Sequence, residues 1–147
     1  MSNQRMDNAR DPEQLRIMME HQKAGVCHFC PEGFKKHKSP VIYDDEFWFI
    51  TGNDYAYPGS VSHYLIVSKQ HVTKVQDLSI SAQLTLFTAI EWLSYNLGFS
   101  GFSLFVRSGN MAYTGATLDH LHFHFLVGEE KSDNTEMLLV NLGYKKK

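Results

Sequence analysis

The sequence has no apolar run long enough to cross a membrane, no excess of positive charge and only two cysteines. A membrane-spanning helix needs about 20 consecutive apolar residues, so we expect no membrane partner. The net charge of −2 gives no electrostatic basis for binding nucleic acid. Residues 1–10 are polar and lack the apolar centre of a signal peptide, so we expect a mobile N-terminal tail and a cytoplasmic protein.

The remaining chain has the composition of one globular domain, which we place at residues 11–147. Its hydrophobic content of 43% is enough for a core, and we find no internal repeat and no low-complexity segment. Asp11 and Pro12 predict the start of a helix that ends before Gly25. A second helix is predicted to start at Ser79 or Ser81 and to end at Gly98. Its predicted core-facing stripe is Ile80, Leu84, Phe87, Ile90, Leu93 and Leu97.

Short apolar runs bounded by turn residues predict strands between and after these helices. Residues 135–144 are ambiguous, and we expect a short strand or an extended tail there. The sum is an α+β fold, with a mostly antiparallel sheet of about five strands and two main helices. The predicted strands before the last one cover residues 41–43, 47–51, 63–68 and 102–107.

His120, His122 and His124 alternate with apolar residues near the C-terminal end of the chain. Successive side chains of a strand point to opposite faces, so the three imidazoles share one face and residues 121, 123 and 125 share a core face. Each imidazole needs hydrogen-bond partners, which a purely structural strand rarely supplies. A metal or catalytic site therefore explains the cluster better than a solvated strand face does.

Cys27 and Cys30 form a C-x-x-C pair. Such a pair is a redox dithiol, a pair of metal ligands or two free thiols. It follows a predicted helix and precedes a Pro-Glu-Gly turn, which favours a zinc knuckle over a thioredoxin-like site. Structural zinc takes four ligands, so two more must come from elsewhere in the chain.

The loop that leads into His120 contains Gly115, Ala116 and Thr117. Small residues allow backbone amides to approach an anion closely, and the Thr117 hydroxyl adds a donor. The segment also fits an ordinary turn. We expect Gly115 and its neighbours to bind a substrate phosphate, which would then lie against the histidine face.

Three blocks of the sequence together resemble the histidine triad (HIT) superfamily of nucleotide hydrolases and transferases. Residues 120–127 match its signature His-φ-His-φ-His-φ-φ, in which φ is apolar. Residues 63–71 resemble its His-x-Leu-Val-Ile-Pro-Lys-x-His segment, with Ser68 in place of the proline. The cysteine pair is similar to that of the zinc-containing branch. The blocks follow the family's order, so the resemblance implies a HIT-like fold.

The resemblance implies a structural zinc ion (Zn²⁺) bound by Cys27, Cys30, His71 and His120. A closed site of two cysteines and two histidines has no open position for catalysis. It would connect the cysteine pair to the histidine strand.

The resemblance also implies catalytic roles. His122 is the expected nucleophile, which attacks the α-phosphorus of a nucleotide and forms a covalent nucleotidyl-histidine that water then cleaves. His124 would hydrogen-bond the phosphate or leaving group and assist proton transfer, with His63 in support beside it. Thr117 would stabilise charge on the phosphate.

The resemblance supplies candidates for substrate binding. Arg107 stands where many members have Asn or Gln, and Asn110 takes that position if the loop is shifted. Phe49 and Ile50 are expected to line the base pocket. Asp54 is a candidate for binding the ribose, since the loop after Ile50 is longer than the family's common pattern.

Residues 115–117 read Gly-Ala-Thr, which is more like the transferase and phosphorylase branches, whereas His124 is typical of the hydrolases. The third histidine and the short chain favour hydrolysis. We therefore expect a nucleotidyl hydrolase that cleaves dinucleoside polyphosphates or nucleoside phosphoramidates, with a purine base, at the α-phosphate. Mg²⁺ would accompany a polyphosphate substrate, and the family implies a homodimer that pairs through a helix at residues 87–97.

Three alternatives stay open. One is a nucleotidyltransferase or dinucleoside polyphosphate phosphorylase. Another is a non-catalytic nucleotide-binding zinc module, against which the intact His122 and His124 argue. The third, without the family, is a cupin-like enzyme in which His120 and His122 bind iron or manganese. It requires a carboxylate on the same face, which Glu129 and Glu130 beyond the strand do not supply.

Overall fold

The computed structural model describes residues 4–147 as four helices, five strands and two short 3₁₀ turns. The helices are α1 (Pro12–Ala24), α2 (Pro31–Phe34), α3 (Ile80–Leu97) and α4 (Met111–Thr114). The strands are β1 (Val41–Asp44), β2 (Trp48–Gly52), β3 (Ser62–Ser68), β4 (Ser103–Val106) and β5 (His122–Val127).

The five strands form one sheet in the order β1-β2-β3-β5-β4, and every neighbouring pair is antiparallel. This confirms the predicted α+β fold. In the register of β3 with β5, Leu65 lies opposite His124 and Val67 lies opposite His122. Since paired residues share a face, His63 on β3 points to the same side of the sheet as the histidines of β5.

The ends of the two long helices follow the sequence signals. The Asp11 side chain accepts hydrogen bonds from the first turn of α1, and Gly25 ends that helix with a φ of 70°. The Ser79 side chain caps α3, and Gly98 ends it with a φ of 66°. A left-handed backbone suits glycine, so both boundaries are fixed by local chemistry.

The two faces of the sheet have different partners. The main core lies between the sheet and α3, and it contains Trp48, Ile66, Phe123 and Phe125. As predicted, the apolar residues between the histidines face this core. A second apolar cluster lies on the opposite face and is formed by Cys27, Phe29, Phe49, Leu65 and Val67. The histidines of β3 and β5 share that second face.

The predicted core stripe of α3 is wrong in part. Ile90 and Leu93 are buried, but Phe87 is 72% exposed. Apolar residues occupy both sides of this helix, so spacing alone does not identify the side that packs. The packed side includes two alanines, and the Trp48 indole donates to the Ala82 carbonyl at 2.9 Å. The other members of the predicted stripe that lie exposed are Ile80, Leu84 and Leu97.

None of the helices in the described part of the chain combines the length and the hydrophobicity that a membrane crossing requires.

The segment just before α1 lies against the loop that precedes the histidine strand. The backbone amide of Arg5 donates to the Thr117 carbonyl at 3.0 Å, and the Asn8 side chain donates to the Ala116 carbonyl at 2.7 Å. Residues 1–3 of the predicted tail lie outside the described residues. The mobility expected for residues 1–10 stays a prediction.

The C-terminal segment after β5 contains no strand. Of the two structures predicted for residues 135–144, it is therefore the extended tail. Its last part returns to the same loop. The Gly143 amide donates to the Thr114 carbonyl at 3.1 Å, and the Tyr144 hydroxyl donates to Asn8 at 2.6 Å. Residues 4–10 and 141–145 therefore both border the face that carries the histidines.

Candidate active site and metal site

A cavity of about 510 Å³ opens on the histidine face of the sheet. Its walls come from α1, the cysteine segment, the loop after β2, the loop before β5 and the segments 4–10 and 141–145. His122 and His124 line it, together with Arg107 and Thr117. The fold therefore brings the predicted catalytic and phosphate-binding residues to one concave site.

His122 has one ring nitrogen bonded and one available. Its Nδ1 lies 2.7 Å from the carbonyl oxygen of His120. A carbonyl only accepts, so Nδ1 carries the proton and Nε2 keeps its lone pair. Burial lowers the pKa of His122 to about 4, which keeps the ring neutral near pH 7. Nε2 is thus prepared to act as a nucleophile.

His63 and His124 form a directed pair. The backbone amide of Tyr57 donates to His63 Nδ1 at 3.2 Å, so the proton of neutral His63 is on Nε2. That Nε2 lies 2.8 Å from His124 Nδ1 and donates to it. The remaining proton of His124 is then on Nε2. Burial is the main cause that lowers the pKa of His63 to about 3 and that of His124 well below its usual value.

Arg107 brings a second donor to the same point. Its Nη1 lies 3.2 Å from His124 Nε2, and its Nη2 donates to the Tyr57 hydroxyl and to the Asn141 carbonyl, each at 2.7 Å. With the tautomer above, Nη1 and His124 Nε2 are both donors. Two donors that converge in a cavity form a site for an anion such as a phosphate oxygen.

Cys27, Cys30, His71 and His120 form the predicted metal cluster, with all four ligand atoms within 4.8 Å of one another. The distances between sulfur and histidine Nδ1 are 3.3, 3.4 and 3.7 Å, and the two Nδ1 atoms lie 3.0 Å apart. A tetrahedral zinc site with ordinary bond lengths has S···N edges of about 3.5 Å and N···N edges of about 3.3 Å. The cluster therefore fits zinc.

The surroundings of the cluster also suit a structural metal. His120 is 1% exposed, and its Nε2 donates to the Ser68 carbonyl at 2.6 Å, which turns Nδ1 towards the cysteines. Burial raises the pKa of the Cys27 thiol to about 11, so a thiolate there needs a cation beside it. The expected turn after the pair is the short helix α2, with Cys30 at its N-cap.

Within residues 4–147, the structure shows no second group of three or more His, Cys, Asp or Glu side chains that could hold a metal. Among residues 4–147, no carboxylate forms a metal-binding group with His120 and His122 that would complete an iron or manganese site. The cupin-like alternative lacks its required ligand.

Some predicted substrate-binding residues lie away from the cavity. Phe49 and Ile50 are neighbours on β2, so they point to opposite faces, and Ile50 is fully buried in the core beside α3. Phe49 packs in the second apolar cluster and does not line the cavity. Asn110 caps α4 and also lies outside the cavity lining, whereas Arg107 and Gly115 belong to it.

Asp54 lines the cavity but its oxygens already have partners. It accepts from the backbone amides of Lys38 and Ser39 at 2.7 and 2.9 Å and from the Ser39 hydroxyl at 2.7 Å. Burial alone would raise its pKa, but these hydrogen bonds and nearby His37 outweigh it, and the pKa is lowered. Asp54 therefore holds the loop before β1 in place, and its carboxylate has few lone pairs left to accept from a ribose hydroxyl.

Sequence reasoning missed several residues of the cavity wall. Arg10 lies 4.0 Å from the centre of the Tyr57 ring and donates to the Tyr55 carbonyl, although it belongs to the segment interpreted as a tail. No local pattern marks it. His28 and His37 also line the cavity. The composition gives one signal, since two of the eight histidines, His21 and His37, fall outside the recognised blocks, whereas His28 lies within the cysteine pair.

The comparisons with known proteins agree with this geometry. A family model described as HIT domain matches residues 35–131. A HIT family hydrolase from Clostridium thermocellum is 27% identical, with a TM-score of 0.56, and the match covers 77% of this chain and 96% of that one. Among curated proteins, none matches the sequence.

Two more solved structures share the fold at lower identity. A Zn-bound histidine triad family protein from Mycobacterium smegmatis is 18% identical, with a TM-score of 0.58 and coverage of 78% of this chain and 83% of that one. A hypothetical protein from Leishmania major is 16% identical, with a TM-score of 0.61 and coverage of 84% of each chain. With the family model matched over most of the sequence, the chain belongs to the HIT domain family.

Proposed function

We propose that this protein is a nucleotidyl hydrolase that cleaves dinucleoside polyphosphates or nucleoside phosphoramidates at the α-phosphate through a covalent intermediate on His122. The purine base expected from the family resemblance is part of this proposal. The hydrolase from Clostridium thermocellum, which covers most of this chain, supports the reaction class. The Mg²⁺ expected with a polyphosphate substrate stays a prediction.

The observation that carries the proposal is the single free nitrogen of His122. Its Nδ1–H is held by the His120 carbonyl, so Nε2 is the atom available for in-line attack on phosphorus. The Nε2–P bond forms as the bond from phosphorus to the leaving group breaks. The positive charge that develops on the ring is stabilised through Nδ1–H by the carbonyl.

The convergent donors act on the departing side. His124 Nε2–H and Arg107 Nη1 donate to oxygens of the phosphate or the leaving group, where negative charge increases. A polyphosphate leaves as an anion, and an amine leaves with a proton taken up from solvent. Water then attacks phosphorus, the P–Nε2 bond breaks, its electron pair returns to Nε2, and the excess proton goes to solvent.

The metal site has a structural role in this proposal. Cys27, Cys30, His71 and His120 would hold a zinc ion, whose contribution when bound is to cross-link the cysteine segment to the strand of the nucleophile. The chemistry of the reaction is left to His122, His124 and Arg107.

The test is intact-protein mass spectrometry of the His124→Ala variant after brief mixing with a diadenosine polyphosphate or an adenosine phosphoramidate. Loss of the donor near the leaving group should leave an AMP adduct long-lived enough to detect. The double variant His122→Ala/His124→Ala is the matched control and should show no adduct. An adduct that persists in the double variant, or no adduct together with no product from the wild type, would contradict the proposal.

A transferase remains the second candidate because residues 115–117 read Gly-Ala-Thr. Residue 116 is alanine, so this loop has no side-chain amide at the position where many hydrolases have Gln. Turnover of a diadenosine polyphosphate with and without inorganic phosphate separates the two. Adenosine diphosphate as a product only when phosphate is present would identify a phosphorylase, whereas AMP in both cases indicates hydrolysis.

We also propose a homodimer, which the family resemblance implied. The outward side of α3 is apolar, and the edge strand β4 exposes Leu104, with Phe102 exposed just before it. Exposed apolar surface on a helix and on an edge strand is typical of an interface. The exposed members on the helix are Ile80, Leu84, Phe87 and Tyr95.

A further inference from the structure

Three histidines that the proposed reaction does not use lie together at the wall of the cavity. The ring centre of His28 is 5.0 Å from that of His21 and 5.3 Å from that of His37. All three line the cavity. Packing alone does not require three imidazoles at one place, because each ring has nitrogens that need partners.

His37 has its proton position set by the backbone. Its Nε2 lies 3.0 Å from the Gly52 carbonyl, which only accepts, so the proton of neutral His37 is on Nε2. Burial is the main cause that lowers the pKa of His37, although nearby Asp54 opposes the change, so the ring is neutral. Nδ1 of His37 is then an acceptor.

The direction of the next hydrogen bond follows. His28 Nε2 lies 3.1 Å from His37 Nδ1 and must donate to it, so in the neutral ring the lone pair of His28 is on Nδ1. Within the described part of the chain, no protein group donates to this Nδ1, and the atom is not fully buried. The wall of the cavity therefore presents one oriented acceptor that is open to a ligand.

The position of His28 relates this acceptor to the nucleophile. Phe29 packs edge-on against both rings, with its ring centre 5.2 Å from that of His28 and 4.9 Å from that of His122. The remaining wall near His28 includes apolar residues of α1, Ile17 and Met18, which suit the faces of a base. A nucleotide with its phosphate at His122 can thus extend its base towards His28.

We propose that His28 reads the base, through a hydrogen bond that its Nδ1 accepts from the 6-amino group of a purine. This inference rests on the proposed nucleotide site. It specifies 6-aminopurine nucleotides over those whose position 6 carries a carbonyl oxygen or only hydrogen. His37 is a positioning residue, which fixes the tautomer of His28, and Asp54 positions the loop that carries His37.

The test measures binding, so it does not depend on turnover. Dissociation constants of AMP, inosine monophosphate and purine riboside 5′-monophosphate are determined for the full-length, metal-loaded protein by titration calorimetry. AMP should bind about tenfold tighter than purine riboside 5′-monophosphate, because a tenfold ratio of dissociation constants corresponds to the free energy of about one hydrogen bond. Inosine monophosphate should bind least well, because its carbonyl oxygen faces the lone pair of Nδ1.

Two matched variants assign the effect to one ring. His28→Phe should bind AMP and purine riboside 5′-monophosphate equally, at the affinity that the wild type has for the latter. His21→Phe tests the neighbouring ring, whose Nε2 is buried with no hydrogen-bond partner in the described part of the chain; it should keep the preference for AMP, and loss of that preference would overturn the assignment to His28. The purine riboside 5′-monophosphate affinity of each variant reports whether the cavity is intact.

The outcomes separate this inference from the proposed reaction. Equal affinities for the three nucleotides in the wild type, or a preference for inosine monophosphate, would overturn the role of His28. A preference for AMP that His28→Phe removes, in a protein that forms no adduct, would support base reading and reject the hydrolase. Failure of all three nucleotides to bind would overturn both.

Discussion

The backbone carbonyl of His120 accepts a hydrogen bond from the Nδ1 of His122 at 2.7 Å. The side chain of the same residue joins the cysteine cluster through Nδ1 and donates to Ser68 through Nε2. His120 therefore connects the metal site to the nucleophile by one peptide segment. Loss of the metal should therefore change the orientation of this carbonyl and weaken the hydrogen bond that it accepts from His122.

His122→Ala should abolish turnover without unfolding the protein. The variant removes the only atom that the proposed reaction places on phosphorus, so kcat should fall by roughly 10³-fold or more. His122 is not a ligand of the metal cluster, so the zinc content and the near-ultraviolet circular dichroism should match the wild type. Steady-state rates with a diadenosine polyphosphate check this, and a normal rate would contradict the mechanism.

Cys27→Ala should lower folding stability, because Cys27 belongs to the metal cluster and takes no direct part in the proposed reaction. Loss of one ligand from a structural site removes metal binding and leaves the buried cluster without its cross-link, at a cost of roughly several kcal/mol. Metal analysis and thermal unfolding measure the two effects. The wild type treated with a strong chelator is the control and should show the same fall in Tm, whereas an unchanged Tm in both would mean that the cluster does not hold a metal that supports the fold.

The sequence predicted the parts of the site that share one strand pattern. His122 and His124 point to one face because of the period of a strand, and His63 joins them because β3 pairs with β5. The same rule separates the two residues predicted for the base pocket: Phe49 and Ile50 are adjacent on a strand and point to opposite faces, so they do not line one pocket together.

The sequence could not predict contacts made by irregular segments. Arg10 reaches the cavity because residues 4–10 return to the loop before β5, and only the tertiary structure brings them there. The helix α3 shows a different limit. It is apolar on both sides, so the spacing of Leu84 and Phe87 fits a core stripe as well as the exposed stripe that they form.

Arg107→Gln should lower catalytic efficiency more than it lowers the folding stability of the protein. The variant removes the cation whose Nη1 converges with His124, so kcat/KM should fall by roughly 10- to 100-fold. Arg107→Lys should recover only part of this, since an ammonium cannot also bond Tyr57 and Asn141 as the planar guanidinium does. Arg16→Gln, a change in an exposed ion pair with Glu20, is the control and should keep the wild-type kcat/KM.

Phe87→Glu should convert the proposed dimer to a monomer. Phe87 lies in the centre of the exposed stripe of α3, and a charge there would be buried without a partner in the interface. Met19→Glu is the control, because Met19 is an exposed apolar residue of α1 outside the stripe. Sedimentation velocity at several protein concentrations distinguishes the two. A wild type that sediments as a monomer at all of them would reject the dimer.

His63→Asn should flatten the pH dependence of folding stability between pH 5 and 6.5. Burial, with Arg10, His122 and Arg107 nearby, lowers the pKa of His63 to about 3 in the folded protein. In the unfolded chain the pKa returns to about 6.5, so the unfolded chain binds the extra proton in this range. The stabilising contribution is therefore complete above pH 6.5 and decreases as the pH falls towards 3.

One extra proton in the unfolded state corresponds to a slope of about 1.4 kcal/mol per pH unit. The free energy of unfolding, measured by urea titration at pH 5.0, 5.5, 6.0 and 6.5, should thus rise more steeply in the wild type than in His63→Asn by about that amount. Protonation of the metal ligands contributes equally to both proteins and cancels in the difference. Equal slopes would mean that His63 is protonated in the folded state, and the direction assigned to its hydrogen bond with His124 would then be wrong.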